Sequence, residues 1–161
     1  MNSPITSNGY LRMLSAIYMG LLIGPTVLGI LFYAIAEKGT LGYSLDDSPW
    51  IYIVPTISFT GILLGELIFR KALSNFPKTA LLRHKVKRHH SASVIRYILV
   101  EIPIFLGIFV FMATNNLTFL VISSISLFYL ILIKPKRRKI AKSLNLSRLE
   151  HLQFHRPNDE F

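Results

Sequence analysis

The chain has 161 residues, of which 52% are hydrophobic and only 16% charged, with a mean hydropathy of +0.47, no cysteine and a formal net charge of +10. Soluble domains carry about 25% charged residues, so this composition excludes an ordinary soluble domain and implies charges segregated from long apolar runs. The lack of cysteine also excludes disulfides, iron–sulfur clusters and thiolate metal sites.

The first apolar run, about residues 13–35, contains no charged residue. At about 1.5 Å per residue it covers roughly 34 Å, against a hydrocarbon core of about 30 Å, and is predicted to be span one. It is longer than the roughly 7–15-residue core of a signal peptide and is followed by no small-residue cleavage site, so the expectation is an uncleaved signal anchor. The loop that follows, Glu37 to Ser48, is rich in turn formers. Trp50 and Tyr52 stand where interfacial aromatics belong, opening span two at about 50–69, with Pro55 in its first turns.

Residues 70–92 are too charged to enter lipid and read as a basic loop with a short helix after Pro77. Span three is expected at about 93–113 and span four at about 117–133, joined by the tight turn Thr114-Asn115-Asn116. The basic tail, 134–161, contains Ser147-x-x-Glu150, a capping-box pattern that opens a short helix ending before Pro157. The predicted fold is therefore a single all-α integral membrane domain, a four-helix bundle built as two antiparallel hairpins.

Cation placement predicts the orientation. With four spans, 17 of the 18 Lys and Arg fall on the side of the N-terminus, the 70–92 loop and the tail; only Lys38 lies opposite. The positive-inside rule makes that side cytoplasmic, so the expected location is a plasma (inner) membrane with both termini inside.

Two further patterns concern packing. An offset of 78 residues aligns Ser15 with Ser93, Ile17 with Ile95, Leu21 with Leu99, Pro25 with Pro103, and Leu28-Gly29-Ile30 with Leu106-Gly107-Ile108. A duplicated hairpin would give parallel repeats about an axis along the membrane normal, with chance matching between apolar runs as the alternative. In lipid, helices associate through close backbone approach and polar links, so Gly20, Gly24, Gly61, Gly65 and Gly107 are the candidate packing positions. Gly20-x-x-x-Gly24 and Gly61-x-x-x-Gly65 overlap in depth and are expected to face each other, with homodimerisation through one of them as the alternative.

Three ionisable side chains fall within the predicted spans: Glu66, Arg96 and Glu101. Such groups are costly in hydrocarbon, so each is a functional candidate. Glu66 precedes Arg70 by four residues, the spacing of a same-face ion pair, and Arg96 can reach headgroups or Glu66. Glu101 is the deepest and lies two residues before Pro103, whose missing N–H leaves the Leu99 carbonyl without its helical donor. Either a hydrogen bond to another helix or the binding of a proton or small cation would account for it.

All five histidines lie outside the predicted spans, which argues against an intramembrane haem. His151 and His155 have helical metal-pair spacing but no third ligand, and no cofactor is expected. The basic runs, including Arg83, Lys85, Lys87 and Arg88 in the loop and Lys136, Arg137, Arg138 and Lys139 in the tail, are expected to meet anionic phospholipid headgroups or an acidic partner. No aromatic interleaving suggests nucleic acid, and no nucleophile elbow, phosphate loop or metalloprotease motif suggests an enzyme. The expected function is that of a non-catalytic accessory or assembly subunit of a membrane complex, partnered by another protein or by its own copies; the alternative is a proton- or cation-translocating oligomer using Glu101.

Overall fold

The computed structural model of the chain describes residues 7–45, 49–74, 82–135 and 140. Four helices make up the architecture: α1 (Ser7–Ile35), α2 (Trp50–Ser74), α3 (Leu82–Thr114) and α4 (Leu117–Leu132). Among the described residues there is no strand, only an isolated bridge between Gly42 and Asn116. Three of the helices, α1, α2 and α3, are long and apolar enough to cross a membrane. The fourth, α4, is apolar but has only 16 residues. The Ser147–Glu150 capping box and most of the tail lie outside the described residues.

The helices outrun the expected spans at the basic end. α1 begins six residues before Met13, and α2 runs to Ser74 rather than Phe69. The largest departure is α3, which starts at Leu82 and runs unbroken to Thr114, so the second half of the expected loop is the first three turns of this helix. The segment from Leu82 to His90 holds no Gly or Pro and carries two Lys, two Arg and one Leu, all good helix formers, so nothing interrupts it before the apolar stretch.

α3 is the hub. α2 packs along it antiparallel, Gly65 lying on Arg96 and Gly61 on Leu99. A Cβ built on Gly61 would stand 2.5 Å from the Leu99 carbonyl oxygen, so only glycine permits this approach. That carbonyl is the one Pro103 deprives of its helical N–H, and the close glycine backbone covers it. α4 packs on another face, where a Cβ on Gly107 would collide with the Ser123 hydroxyl, which itself donates to the Ile104 carbonyl at 3.1 Å.

α1 leans on α3 rather than on α2. Tyr18 meets Tyr97 edge-on at 5.8 Å and Phe32 meets Phe109 at 6.0 Å, so the two helices run parallel with contacts offset by 79 and 77 residues. Gly20 and Gly24 face open space, and the expectation that the two glycine motifs oppose each other is not met. The residues of α1 that do pack, Tyr10, Leu14 and Tyr18, recur every four positions and join Val86, Tyr97 and Val100 in the main core. α2 and α4 thus both pack on α3, whereas a two-fold duplicate would place one of them on α1. Where α1 diverges from α3 and α4 it leaves a lateral groove of about 320 Å³ lined by Pro25, Gly29, Tyr33, Ile108, Leu120 and Ser123.

At the end opposite the basic residues, the turn 114–116 does more than reverse the chain. Asn115 adopts φ 51°, a left-handed conformation Asn tolerates, and Asn116 caps α4 by accepting from the Thr118 N–H. Asn116 also donates to the Ser44 carbonyl at 2.7 Å, and Asn115 donates to the Thr40 hydroxyl at 3.0 Å. With Leu117 N–H donating to the Gly42 carbonyl at 3.0 Å, these bonds fasten the α1–α2 loop to the α3–α4 turn.

The asymmetry between the glycine pairs is testable by unfolding titration in mild detergent. Gly61→Ala, by overpacking a tight backbone contact, is expected to cost about 1–3 kcal/mol, whereas Gly20→Ala, which meets nothing, should stay within about 0.5 kcal/mol of the parent. Equal effects at the two positions would contradict the assigned packing.

Candidate functional site

Glu66, Arg96 and Tyr129, from α2, α3 and α4, meet in one polar knot near the basic end of the bundle. Arg96 Nη2 lies 2.6 Å from Glu66 Oε2 and donates to the Tyr129 hydroxyl at 3.1 Å; that hydroxyl in turn donates to Oε2 at 3.4 Å. Arg70, one turn beyond Glu66, donates its Nε–H to Oε1 at 2.8 Å. Glu66 therefore contacts both arginines that its position made reachable.

Packing holds the knot. Gly65 lies 3.4 Å from Arg96 Cγ, measured from where its Cβ would stand, which lets the arginine stem run along α2. The guanidinium stacks over Phe69 at 4.9 Å and against Tyr129 at 5.9 Å, two aromatic faces that favour a cation. The Arg96 side chain is only 14% exposed, whereas Arg70 is 76% exposed, so the buried part of the knot is one cation and one anion. Both Glu66 oxygens accept from cations, which leaves the carboxylate poorly disposed to act as a general base or metal ligand. Removing Glu66 would leave Arg96 buried and without a carboxylate, the costly case for an ion pair, whereas removing Arg96 would leave Glu66 still paired with Arg70.

A second polar cluster fastens α1 to α3. His89 is buried and its Nδ1 lies 2.7 Å from the Tyr10 hydroxyl and 3.3 Å from the Ser93 hydroxyl, while its ring meets Phe69 edge-on at 5.5 Å. With the ring proton on Nε2, Nδ1 accepts from the Tyr10 hydroxyl. His89 stands one turn before Ser93 on the α3 face that turns into the bundle. His90 also stands edge-on to Tyr10, at 5.9 Å.

Glu101 does not join either cluster. Among the described residues nothing hydrogen-bonds its carboxylate, so the expected link to another helix is absent. It is half-buried on α3, about 140° around the helix from Arg96, with the exposed Ile98 on one side and the buried Tyr97 and Ile104 on the other. Pro103 points the other way, onto Gly61.

The basic residues divide. Lys87 and Arg88 are exposed, but Lys85 is buried at 3%, because positions 85, 89 and 93 share the α3 face that turns into the bundle; Lys85 is therefore corrected from a surface contact to an interior one. The Arg83 side chain, Lys136, Arg137, Arg138 and Lys139, and His151 and His155 lie outside the described residues. Among the described residues no group of three or more His, Cys, Asp or Glu is placed to hold a metal ion.

Tyr129, Tyr10, Ser93 and Phe69 are participants that the sequence reading passed over. Tyr129 had a signal: it stands four residues from the basic end of span four, the depth of Glu66 and Arg96 in theirs. Compared with known families, curated proteins and solved structures, the chain matches no family model, no curated protein and no solved structure.

Proposed function

We propose that this chain is an integral membrane protein without catalysis of its own, an accessory or assembly subunit of a membrane complex. In this reading α4 spans along with the three longer helices, and the basic end faces the cytoplasm, with Lys87 and Arg88 at anionic headgroups. The observation that carries the reading is the Glu66–Arg96–Tyr129 knot. The cation within the apolar segments is spent on binding three helices together, on aromatic stacking and on one carboxylate, which suits a scaffold better than a polar conduit. The broad outward face of α1, with Ile23, Val27 and Ile30 exposed, supports contact with lipid or a partner helix, and the lateral groove beside it is lined to suit hydrocarbon.

One observation favours the second reading, a proton- or cation-translocating oligomer: the Glu101 carboxylate has no partner among the described residues. The two readings separate in a reconstituted system. Accessory function predicts that purified protein in liposomes carries no flux above empty vesicles and that Glu101→Gln changes nothing there. A flux abolished by Glu101→Gln would favour translocation.

The absence of native cysteine makes the topology directly measurable. Single cysteines at Lys38 and at Lys87 in intact cells should react with an impermeant maleimide only at position 38; reaction at both or only at 87 would overturn the orientation.

A further inference from the structure

Glu101 stands eight residues inside the apolar segment that opens at Ser93, about 12 Å along the helix axis. Glu101 is half-buried: of its neighbours one turn away, Ile98 is 45% exposed whereas Tyr97 and Ile104 are buried, so the residue stands at the border between the packed face of α3 and the exposed edge formed by Ile95, Ile98 and Ile102. Each other described ionisable group in the apolar segments is paired: Glu66 with Arg96 and Arg70. An ionised carboxylate open to hydrocarbon is costly and is tolerated where a partner supplies the opposite charge.

We infer that the Glu101 edge of α3 is a docking face for a transmembrane helix of a different protein, which brings a lysine or arginine to the Glu101 carboxylate. This rests on the accessory-subunit reading and names the chemistry of the partner. Charge complementarity selects the occupant. A second copy of this chain offers no cation at that depth, because Arg96 is only 14% exposed and held by Glu66, Tyr129 and Phe69. Lipid acyl chains offer no cation either. Ile95, Ile98 and Ile102 lie together on one side of Glu101 and give the incoming helix an apolar surface, while the buried Tyr97 and Ile104 close the other side, so the ion pair is shielded once the helix docks. A carboxylate that is unpaired in the isolated chain and paired only in the complex also makes assembly selective, since a helix without the cation leaves the charge exposed.

The test is site-directed photo-crosslinking in native membranes, with p-benzoylphenylalanine at position 98 or 102. The expected result is an adduct with a heterologous protein whose crosslinked peptide is a transmembrane segment carrying Lys or Arg at matching depth. Glu101→Gln, which keeps hydrogen-bonding capacity but removes the charge, should reduce that adduct at least tenfold while the protein still purifies as a monodisperse species. Should Glu101→Gln impair folding, the charge exchange serves instead: Glu101→Lys should lose the adduct, and reversing the partner's cation to Glu should restore it. A homotypic adduct, adducts with lipid only, a partner segment lacking a cation, or an adduct indifferent to both substitutions would each overturn the inference. A fixed-ratio partner that crosslinks at another face of the bundle would overturn the docking site and leave the accessory reading standing, whereas no fixed-ratio partner at all would overturn both.

Discussion

A guanidinium inside an apolar helical segment must be neutralised or the helix will not stay there, and Arg96 imposes that condition on this chain. The carboxylate available to it is Glu66 on α2, and the hydroxyl that shares both charges is Tyr129 on α4. Meeting them fixes the relative depth of three helices at once. Gly65 lies against the Arg96 stem, bringing the backbones of α2 and α3 close at the level of the ion pair.

Once α3 is anchored in this way, the remaining contacts extend its role as the central helix. Pro103 frees the Leu99 carbonyl, and Gly61 brings the α2 backbone close enough to cover it; further along, Gly107 admits Ser123 of α4. α1 joins by a different device. Its Gly20 and Gly24 touch nothing, and its fastening comes from Tyr10, Leu14 and Tyr18 on the α3 face and from the His89 hydrogen bond. That leaves one end of α1 tied by buried polar groups while its middle stands off behind the lateral groove, and Asn115 and Asn116 tie the loop that follows α1 to the far end of the bundle.

Hydropathy and turn chemistry made much of this legible. The positions of the apolar segments, the Glu66–Arg70 spacing and the Asn turn all follow from the chain alone, since each depends on local periodicity or on a side chain bonding within a few residues. What failed depended on which helix faces which. Nothing local distinguishes Gly61, pressed on Leu99, from Gly20, open to the outside, and a shared small-residue pattern wrongly matched them. The register of α3 was misjudged for a related reason: a run of Arg, Lys and His reads as a solvated loop, yet its intrinsic helix propensity carries the helix through it and turns Lys85 and His89 inward. The 78-residue self-match lines up with the parallel contacts of α1 and α3, but α2 and α4 both choose α3, so the sequence pattern is not realised as two-fold packing.

The claim that the Arg96–Glu66 pair organises the bundle is tested most directly by a double-mutant cycle on reversible unfolding in bicelles, using Glu66→Gln, Arg96→Met and both together. Glu66→Gln is expected to cost about 3–5 kcal/mol by stranding the Arg96 charge, Arg96→Met less because Arg70 still faces Glu66, and the double variant much less than the sum, a coupling of at least about 2 kcal/mol. Additive effects, with coupling within about 0.5 kcal/mol of zero, would show that the three helices are held by apolar packing alone and would contradict the account.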